Sequence, residues 1–246
     1  MKLEEYQVMY EVEDTYWWYV GMRGIFLSLL DGHYSSRTDL KILDAGCGTG
    51  AMLNHLRPYG KVVGVDISSE AIRLAIKREV EGCRLVQCSL TDLPFEDGSF
   101  DLVTSFDVIC CITEHGLAFR ELSRVLKPGG RVVVNLPAYN PLRSEHDLAV
   151  NIQKRYTRAD VASEAERVGL TVERVAHANT LLFPIAAAVR LAKRVPSKPA
   201  SEARSDLKPL PPVINRGLAQ VLFVERWLLQ RVDLPFGLSV LCVARK

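Results

Sequence analysis

The sequence lacks the features that mark several classes of protein. Its 31 basic and 29 acidic residues leave a formal net charge of only +2, so the chain as a whole has no electrostatic footprint for nucleic acid. The amino terminus has no basic region followed by an apolar one, so we expect no secretory signal. The longest apolar run, 181–189, contains Pro184 and is far shorter than the roughly 20 residues of a membrane-spanning helix. We therefore expect a cytoplasmic protein that is not integral to a membrane.

Cysteine is present but not in the spacing of a metal site. No two of the six cysteines form a Cys-x-x-Cys pair, and no histidine cluster offers the remaining ligands of a tetrahedral zinc site. We expect no bound metal. Reduced, half-buried thiols in the cytoplasm are the ordinary interpretation. The cysteines are Cys47, Cys83, Cys88, Cys110, Cys111 and Cys242.

The alternation of apolar, β-rich runs with helical patterns predicts an α/β fold. A chain of 246 residues, 48% of them hydrophobic, is large enough for one such domain. Strand–helix alternation implies a mostly parallel sheet with helices on both faces. Ser68 or Ser69 and the segment Thr157–Asp160 resemble helix N-caps, and 128–130 (Pro-Gly-Gly) is expected to stop a helix. The predicted strands are 41–43, 62–65, 84–88, 102–105, 131–136, 170–176 and 238–243, and the predicted helices are 52–56, 69–80, 117–126 and 157–168.

A long insertion precedes the last predicted strand. Roughly 60 residues separate the last two strands, more than a compact turn needs, which indicates a functional insertion or a mobile segment. Its middle, 196–212, contains five prolines and is predicted to be a mobile loop. The apolar run 181–189 has a basic end, so 181–194 is either a lid helix packed on its own protein or a contact with a membrane surface or lipid-like substrate.

A glycine-rich segment, Leu43-Asp-Ala-Gly-Cys-Gly-Thr-Gly50, is the strongest functional signal. It follows a predicted strand and precedes a helical pattern, where glycines permit a tight turn and close approach of backbone N–H groups to a ligand. The next strand ends at Asp66, where a carboxylate can bind ribose hydroxyls. Asp44 and the spacing Gly-x-Gly-x-Gly, without the third glycine of the dinucleotide fingerprint, favour S-adenosylmethionine (SAM) over a dinucleotide.

Two further segments, 92–101 and 121–131, extend the pattern, and together with the glycine loop they resemble the class I SAM-dependent methyltransferases over about residues 40–136. The resemblance implies a Rossmann-like fold with a mostly parallel seven-stranded sheet and SAM as cofactor. Ser89 stands where the family often has an acidic residue. A serine hydroxyl can still accept a hydrogen bond at this position. The implied cofactor contacts are Asp44, Gly46, Cys47 and Gly48 at the methionine end, Asp66 at the ribose, Ile67 at the adenine, Ser89 and Leu90 at the adenine amine, and Phe106 beneath the cofactor.

The aromatic segment near the amino terminus, 16–23, resembles the N-terminal helix of a bacterial subgroup of these enzymes, one often linked to polysaccharide or secondary-metabolite pathways. Four consecutive aromatic residues exceed what one helix face can bury, so some of them could line a pocket or lid. For Trp17 and Trp18, core packing and a substrate pocket are equally supported. Arg23 could reach the SAM carboxylate.

The segment after the fifth strand, 136–157, is similar to a stretch that covers the active site in the same subgroup. His146 is the first candidate for a general base or acceptor-binding group, because its ordinary pKa lies near neutral. The alternative is that His146 and Asp147 order the loop. Relatives commonly have Glu-His at 110–111 and a histidine at 152, so alignment of the reactants could suffice here without a strong base. Tyr139 is a second catalytic candidate, and the remaining expected pocket residues are Cys111, Arg143 and Tyr156.

These observations predict a single methyltransferase domain. Its expected parts are N-terminal helices or a lid (1–38), a SAM-binding core (39–177), an insertion or lid (178–238) and a final strand (239–246). The expected reaction is methyl transfer to oxygen, nitrogen or carbon of a small-molecule or glycan- or lipid-linked acceptor. A non-catalytic SAM-binding protein and a nicotinamide-dependent oxidoreductase are the alternatives.

Overall fold

A seven-stranded sheet forms the centre of the molecule in a computed structural model that describes residues 2–192, 207 and 210–246. The strand order is β3-β2-β1-β4-β5-β7-β6, and every neighbouring pair is parallel except those that involve β7. The predicted fold class and the predicted strands are thereby confirmed. The strands are β1 (Leu40–Ala45), β2 (Gly60–Asp66), β3 (Arg84–Gln87), β4 (Phe100–Phe106), β5 (Leu126–Pro137), β6 (Thr171–Ala178) and β7 (Ser239–Arg245).

Helices cover both faces of this sheet. One face packs against α5 and α7 through residues such as Phe119 and Val161, and the other packs against α2 and α9 through Ile25 and Leu222. Both faces of the central strands are therefore buried, as their nearly continuous apolar sequences require. The helices are α1 (Leu3–Val12), α2 (Trp17–Tyr34), α3 (Leu53–Leu56), α4 (Ser69–Lys77), α5 (His115–Val125), α6 (Glu145–Ala149), α7 (Arg158–Arg167), α8 (Phe183–Ala192) and α9 (Pro212–Leu229).

Two predicted helix caps have the expected hydrogen bonds. The Ser68 hydroxyl accepts from the backbone N–H of Ala71 at 3.3 Å and begins α4. Thr157 and Asp160 bond each other's backbone N–H groups in a capping box that begins α7. The stop predicted at 128–130 is displaced, because α5 already ends at Val125 and 128–130 lies within β5. The register of β5 against β4 shifts at this point, which accommodates the extra backbone.

The described part of the insertion before β7 contains helices α8 and α9, which pack on the rest of the chain. Gly21 on α2 allows close approach of α9, because a Cβ atom there would overlap the Leu222 side chain. Glu225 on α9 accepts hydrogen bonds from the backbone N–H groups of Thr180 and Leu181, at 2.8 and 3.0 Å. Most of the loop predicted at 196–212 lies outside the described residues. No described helix is long and apolar enough to cross a membrane.

Candidate functional site

The glycine loop folds back onto the carboxyl end of β2. The backbone N–H groups of Gly46 and Cys47 both donate to the carbonyl oxygen of Val65 at 2.8 Å, and that of Gly48 donates to Asp66 Oδ2 at 3.0 Å. Gly46 and Gly48 have φ values of +86° and +53°, a backbone conformation that glycine adopts without steric cost. The sequence pattern therefore produces the turn that a ligand can approach closely.

Two buried carboxyl groups lie at the ends of the neighbouring strands β1 and β2. Asp44 is 2% exposed and accepts a hydrogen bond from the Thr104 hydroxyl at 2.7 Å, and burial raises its pKa to about 7. Asp66 accepts from the N–H groups of Gly48 and Ser68, and burial raises its pKa above the ordinary value. This acidic edge suits a ligand with hydroxyl groups and positive charge, and SAM has both.

The predicted adenine and floor residues flank the same edge. Ile67 follows Asp66 directly and is 66% exposed, so its apolar side chain is available to a flat ring. Leu90 is buried, and the Ser89 hydroxyl is hydrogen-bonded to that of Thr91 at 2.7 Å. Phe106 is held by Phe26, whose ring stacks on it with centroids 4.0 Å apart. These positions fit the cofactor contacts that the resemblance implies, and those contacts stay predictions.

Helix α1 covers the glycine loop, through contacts that the sequence patterns did not indicate. A Cβ atom on Gly48 would lie 2.9 Å from Met9 Cε. At the end of α1 the Glu13 carboxylate accepts a hydrogen bond from the Thr49 hydroxyl and pairs with Arg78 Nη2 at 2.6 Å. Burial raises the pKa of Glu13 to about 7 against the opposing attraction of Arg78. We call Glu13, Thr49 and Arg78 the α1 latch, because it joins α1 to the loop and to α4.

Arg23 and the two tryptophans lie on the neighbouring helix α2. The Arg23 guanidinium donates to the backbone carbonyl oxygens of Glu13 and Asp14, at 3.2 and 3.4 Å. In this conformation Arg23 therefore connects α2 to the end of α1, and its contact with the SAM carboxylate stays a prediction. Trp17 and Trp18 are half-buried against the core, which leaves both the packing and the pocket interpretation open.

Asp107, which directly follows β4, is a candidate site residue that the sequence analysis missed. It has a left-handed φ of +58°, and its Oδ2 accepts a hydrogen bond from Asn135 Nδ2 at 2.8 Å. Burial raises the pKa of this carboxyl to about 7. The Cys111 thiol lies on the same loop, 3.9 Å from the Asp107 carbonyl oxygen and 3.4 Å from that of Val150. An acidic residue directly after a central parallel strand is the signal that could have identified Asp107.

Tyr139 has a partner that the sequence did not indicate. It has a φ of +58°, and its hydroxyl lies 2.9 Å from Nε2 of His177, a buried residue of β6. The two rings stack with centroids 5.4 Å apart. Because β5 and β6 are separated only by β7, the carboxyl ends of both strands meet at this pair. Tyr139 and His177 therefore form a polar pair on the same edge of the sheet as Asp107.

The loop around α6 is held by a buried ion pair. Asp147 is fully buried and receives two hydrogen bonds from Arg155, at 2.6 and 2.7 Å. This contact fits the loop-ordering interpretation for Asp147, while the half-buried His146 beside it stays a candidate. Arg143 is exposed and donates to the Ile152 carbonyl oxygen at 2.9 Å.

Tyr156, predicted to line the acceptor pocket, lies in the hydrophobic core. It is fully buried, with its ring edge-on to that of His115 at 6.1 Å. Within the described part of the chain, no group of three or more His, Cys, Asp or Glu side chains could hold a metal ion.

Comparison with known proteins finds a methyltransferase domain in the core of the chain. Residues 43–134 match the family model described as the methyltransferase domain. The chain is 38% identical over 103 residues to demethylmenaquinone methyltransferase of Staphylococcus aureus, covering 39% of this chain and 43% of that protein. It is 35% identical over 144 residues to an uncharacterised 37.1 kDa protein of a Streptomyces fradiae transposon, covering 55% of this chain and 40% of that protein. The chain thus spans less than half the length of these curated relatives.

Solved structures share the fold over most of the chain. One such structure is the Haloferax volcanii complex between the Trm112 methyltransferase activator and a methyltransferase. A chain of this complex has a TM-score of 0.63 at 21% identity, and the match covers 99% of this chain and 93% of that chain. Phosphoethanolamine N-methyltransferase 2 of Haemonchus contortus, solved with SAM, has a TM-score of 0.58 at 21% identity, with coverage of 89% and 51%. Residues 43–134 therefore belong to a SAM-dependent methyltransferase domain, and the cofactor of this domain is SAM.

Proposed function

We propose that the protein transfers the methyl group of SAM to oxygen, nitrogen or carbon of a small-molecule or glycan- or lipid-linked acceptor in the cytoplasm. The observation that carries this proposal is the glycine loop, which Asp66 holds beside the buried carboxyl of Asp44. The chemistry that SAM supplies when bound is an electrophilic methyl group on a positively charged sulfur, which a nucleophile attacks in line with the carbon–sulfur bond.

The residues of the cofactor side have separable roles in this proposal. The backbone of 46–48 lies against the methionine end, Asp66 accepts hydrogen bonds from the ribose hydroxyls, and Ile67 packs on the adenine. Asp44 receives the amino-acid end of the cofactor. The α1 latch closes the cleft over the ligand and excludes water, which strengthens each of these electrostatic contacts.

Candidate groups for the acceptor side are Tyr139 and His146. Either could hydrogen-bond the nucleophile, and a histidine general base typically contributes about 10²–10⁴-fold to the rate. The cysteines at 110 and 111 leave no imidazole at that position, so the proposal relies on alignment of the reactants as its main source of acceleration. Trp17, Trp18, Cys111 and Arg143 remain the proposed pocket residues.

The exposed face of α8 and of the turn before it favours an acceptor attached to a lipid. Leu181, Ile185 and Val189 recur at four-residue spacing and are 43%, 69% and 46% exposed. Arg190 on the same helix turns inward and donates to the Leu142 carbonyl oxygen at 3.2 Å, so it fixes α8 beside the loop that follows β5. An apolar stripe at the edge of the acceptor loop would let the domain approach a membrane surface without spanning it.

Replacement of Asp66 by alanine tests the cofactor assignment. We expect the variant to bind SAM more weakly by about 1.5–3 kcal/mol, because the ribose loses a charged hydrogen-bond partner and Gly48 loses its acceptor. Calorimetric titration with SAM, S-adenosylhomocysteine (SAH) and NAD in parallel measures this loss and separates SAM binding from nicotinamide binding.

Asp97→Ala is the matched control, because this carboxylate is 79% exposed and lies in a surface ion pair with Arg124. It should bind SAM as the wild type does. An unchanged SAM dissociation constant in Asp66→Ala would contradict the assignment, and tighter binding of NAD than of SAM to the wild type would favour the oxidoreductase alternative.

A further inference from the structure

The Asp107 backbone lies beside the glycine loop. Asp107 directly follows β4. The next residue, Val108, packs on Gly46, where a Cβ atom would overlap the valine side chain. β4 is also the direct neighbour of β1, with Asp44 opposite Thr104. The Asp107 backbone is therefore adjacent to the part of the loop assigned to the methionine end of SAM.

The side chain is held there with hydrogen-bonding capacity to spare. Asn135 Nδ2 donates to Oδ2, and the Asp107 N–H donates to the Asn135 carbonyl oxygen at 2.9 Å. No described residue donates a hydrogen bond to Oδ1 of Asp107. The side-chain oxygen of Asn135, a fully buried residue, likewise has no partner. Buried polar atoms are nearly always paired, so the unpaired side-chain oxygen of Asn135 beside Asp107 indicates a ligand.

No cation among the described residues forms an ion pair with Asp107. Arg155 attracts it only at longer range, because its guanidinium is bound to Asp147. The other titratable groups that face Asp107 are Tyr19 on α2 and the thiols of Cys110 and Cys111 on its own loop, and none of them carries positive charge. A carboxylate that is partly buried without a cation is costly, and a cationic ligand would relieve that cost.

We propose that the Asp107 carboxylate faces the methyl-bearing sulfonium and makes the site prefer the cationic donor SAM over its neutral product SAH. The inference rests on the proposed function. SAM and SAH share the adenine, the ribose and the amino-acid end, and they differ by one methyl group and one positive charge at sulfur. Groups such as Asp44 and Asp66 therefore contribute nearly equally to both affinities, whereas Asp107 contributes to the difference. Loss of the charge on methyl transfer would favour product release.

The test is the ratio of the SAH to the SAM dissociation constant, measured by calorimetry from pH 5.5 to 8.5 on the full chain. The SAM charge favours the ionised carboxylate, so the wild-type ratio should rise with pH as Asp107 loses its proton near pH 7. Asp107→Asn should lower the ratio at pH 8.5 by about fivefold or more and remove this rise, with SAH affinity unchanged. Any pH dependence of the ratio that comes from titration of SAM or SAH remains in Asp107→Asn, so this variant separates it from titration of Asp107.

Two further variants keep the experiment decisive. Asp97→Asn makes the same chemical change at an exposed loop and should keep the wild-type profile. Asn135→Ala removes the donor to Oδ2, so it should raise the pKa of Asp107 and move the midpoint of the rise to higher pH, which supports the inference even if Asp107→Asn fails to fold. The same ratio and profile in Asp107→Asn as in the wild type would overturn it. Failure of the wild type to bind either ligand would overturn the proposed function as well.

Discussion

The two halves of the carboxyl edge of the sheet are built in different ways. On the cofactor half, at the ends of β1, β2 and β4, the backbone itself forms the site, with glycines at positive φ and N–H groups bonded to Val65 and Asp66. On the proposed acceptor half, at the ends of β5 and β6, side-chain pairs form it, such as Tyr139 with His177 and, within the loop that follows β5, Asp147 with Arg155.

This difference explains which half can be recognised from sequence. A backbone turn needs glycines at fixed spacing, so its signature is contiguous in the chain. A side-chain pair such as Tyr139–His177 joins residues 38 positions apart, and many residue types could make an equivalent contact. Changes in backbone conformation should therefore lower SAM affinity on the cofactor half. Loss of a buried charge should lower the free energy of unfolding on the proposed acceptor half.

The largest expected effect is on the acceptor half, in Asp147→Ala. It leaves Arg155, which is 3% exposed, buried without its counter-charge, so we expect the free energy of unfolding to fall by about 3–5 kcal/mol. Urea denaturation measures this loss, and calorimetry should show little change in SAM affinity. Asp39→Ala, which breaks an exposed pair with Arg37, is the control and should leave the free energy of unfolding nearly unchanged, because solvent screens exposed ion pairs. Equal losses in both variants would contradict the comparison.

The next effect is on the cofactor half, in Gly48→Val. A β-branched side chain at a φ of +53° strains the loop and displaces Met9 of α1, which covers the proposed cofactor site, so SAM binding should weaken by about 100-fold or more. Gly82→Val is the matched control, because Gly82 has a φ of +73° but no atom within 4 Å of an added Cβ. It should suffer similar backbone strain and retain wild-type SAM affinity. Parallel loss of affinity in both variants would mean that strain alone, and not the ligand site, is responsible.

The smallest effect tests whether the acceptor half also contains structure that depends only on residues close together in the chain, such as the N-cap of α7. Thr157→Ala removes the cap of α7, and we expect a loss of about 1 kcal/mol in the free energy of unfolding. Thr157→Ser keeps a hydroxyl that can accept a hydrogen bond from the backbone N–H of Asp160, so it should retain most of the wild-type stability. SAM affinity, measured on the same samples, should not change in either variant. A loss above about 3 kcal/mol would show that Thr157 supports more than its own helix.

Much of the fold could be predicted because local patterns agree with it. The strands, the α4 and α7 caps and the strand–loop–helix unit at 40–56 follow from hydrophobic spacing and glycine chemistry. The helix stop at 128–130 was displaced because strand pairing extends β5 back to Leu126, a tertiary contact that local propensity does not contain. Asp107 was missed for a similar reason, since only the position of Asn135 on the next strand shows that this carboxyl is held at the site.

The sequence by itself determined the class of the protein, its cofactor loop and the presence of a long insertion, because each depends on residues close together in the chain. Only the tertiary structure decided that α1 closes over that loop through Glu13, Thr49 and Arg78, and that Tyr156 belongs to the core. It also decided which carboxyl groups share the edge of the sheet. Such contacts depend on how distant segments pack, and burial, which raises the pKa of Asp44 and of Asp107, exists only after packing is complete.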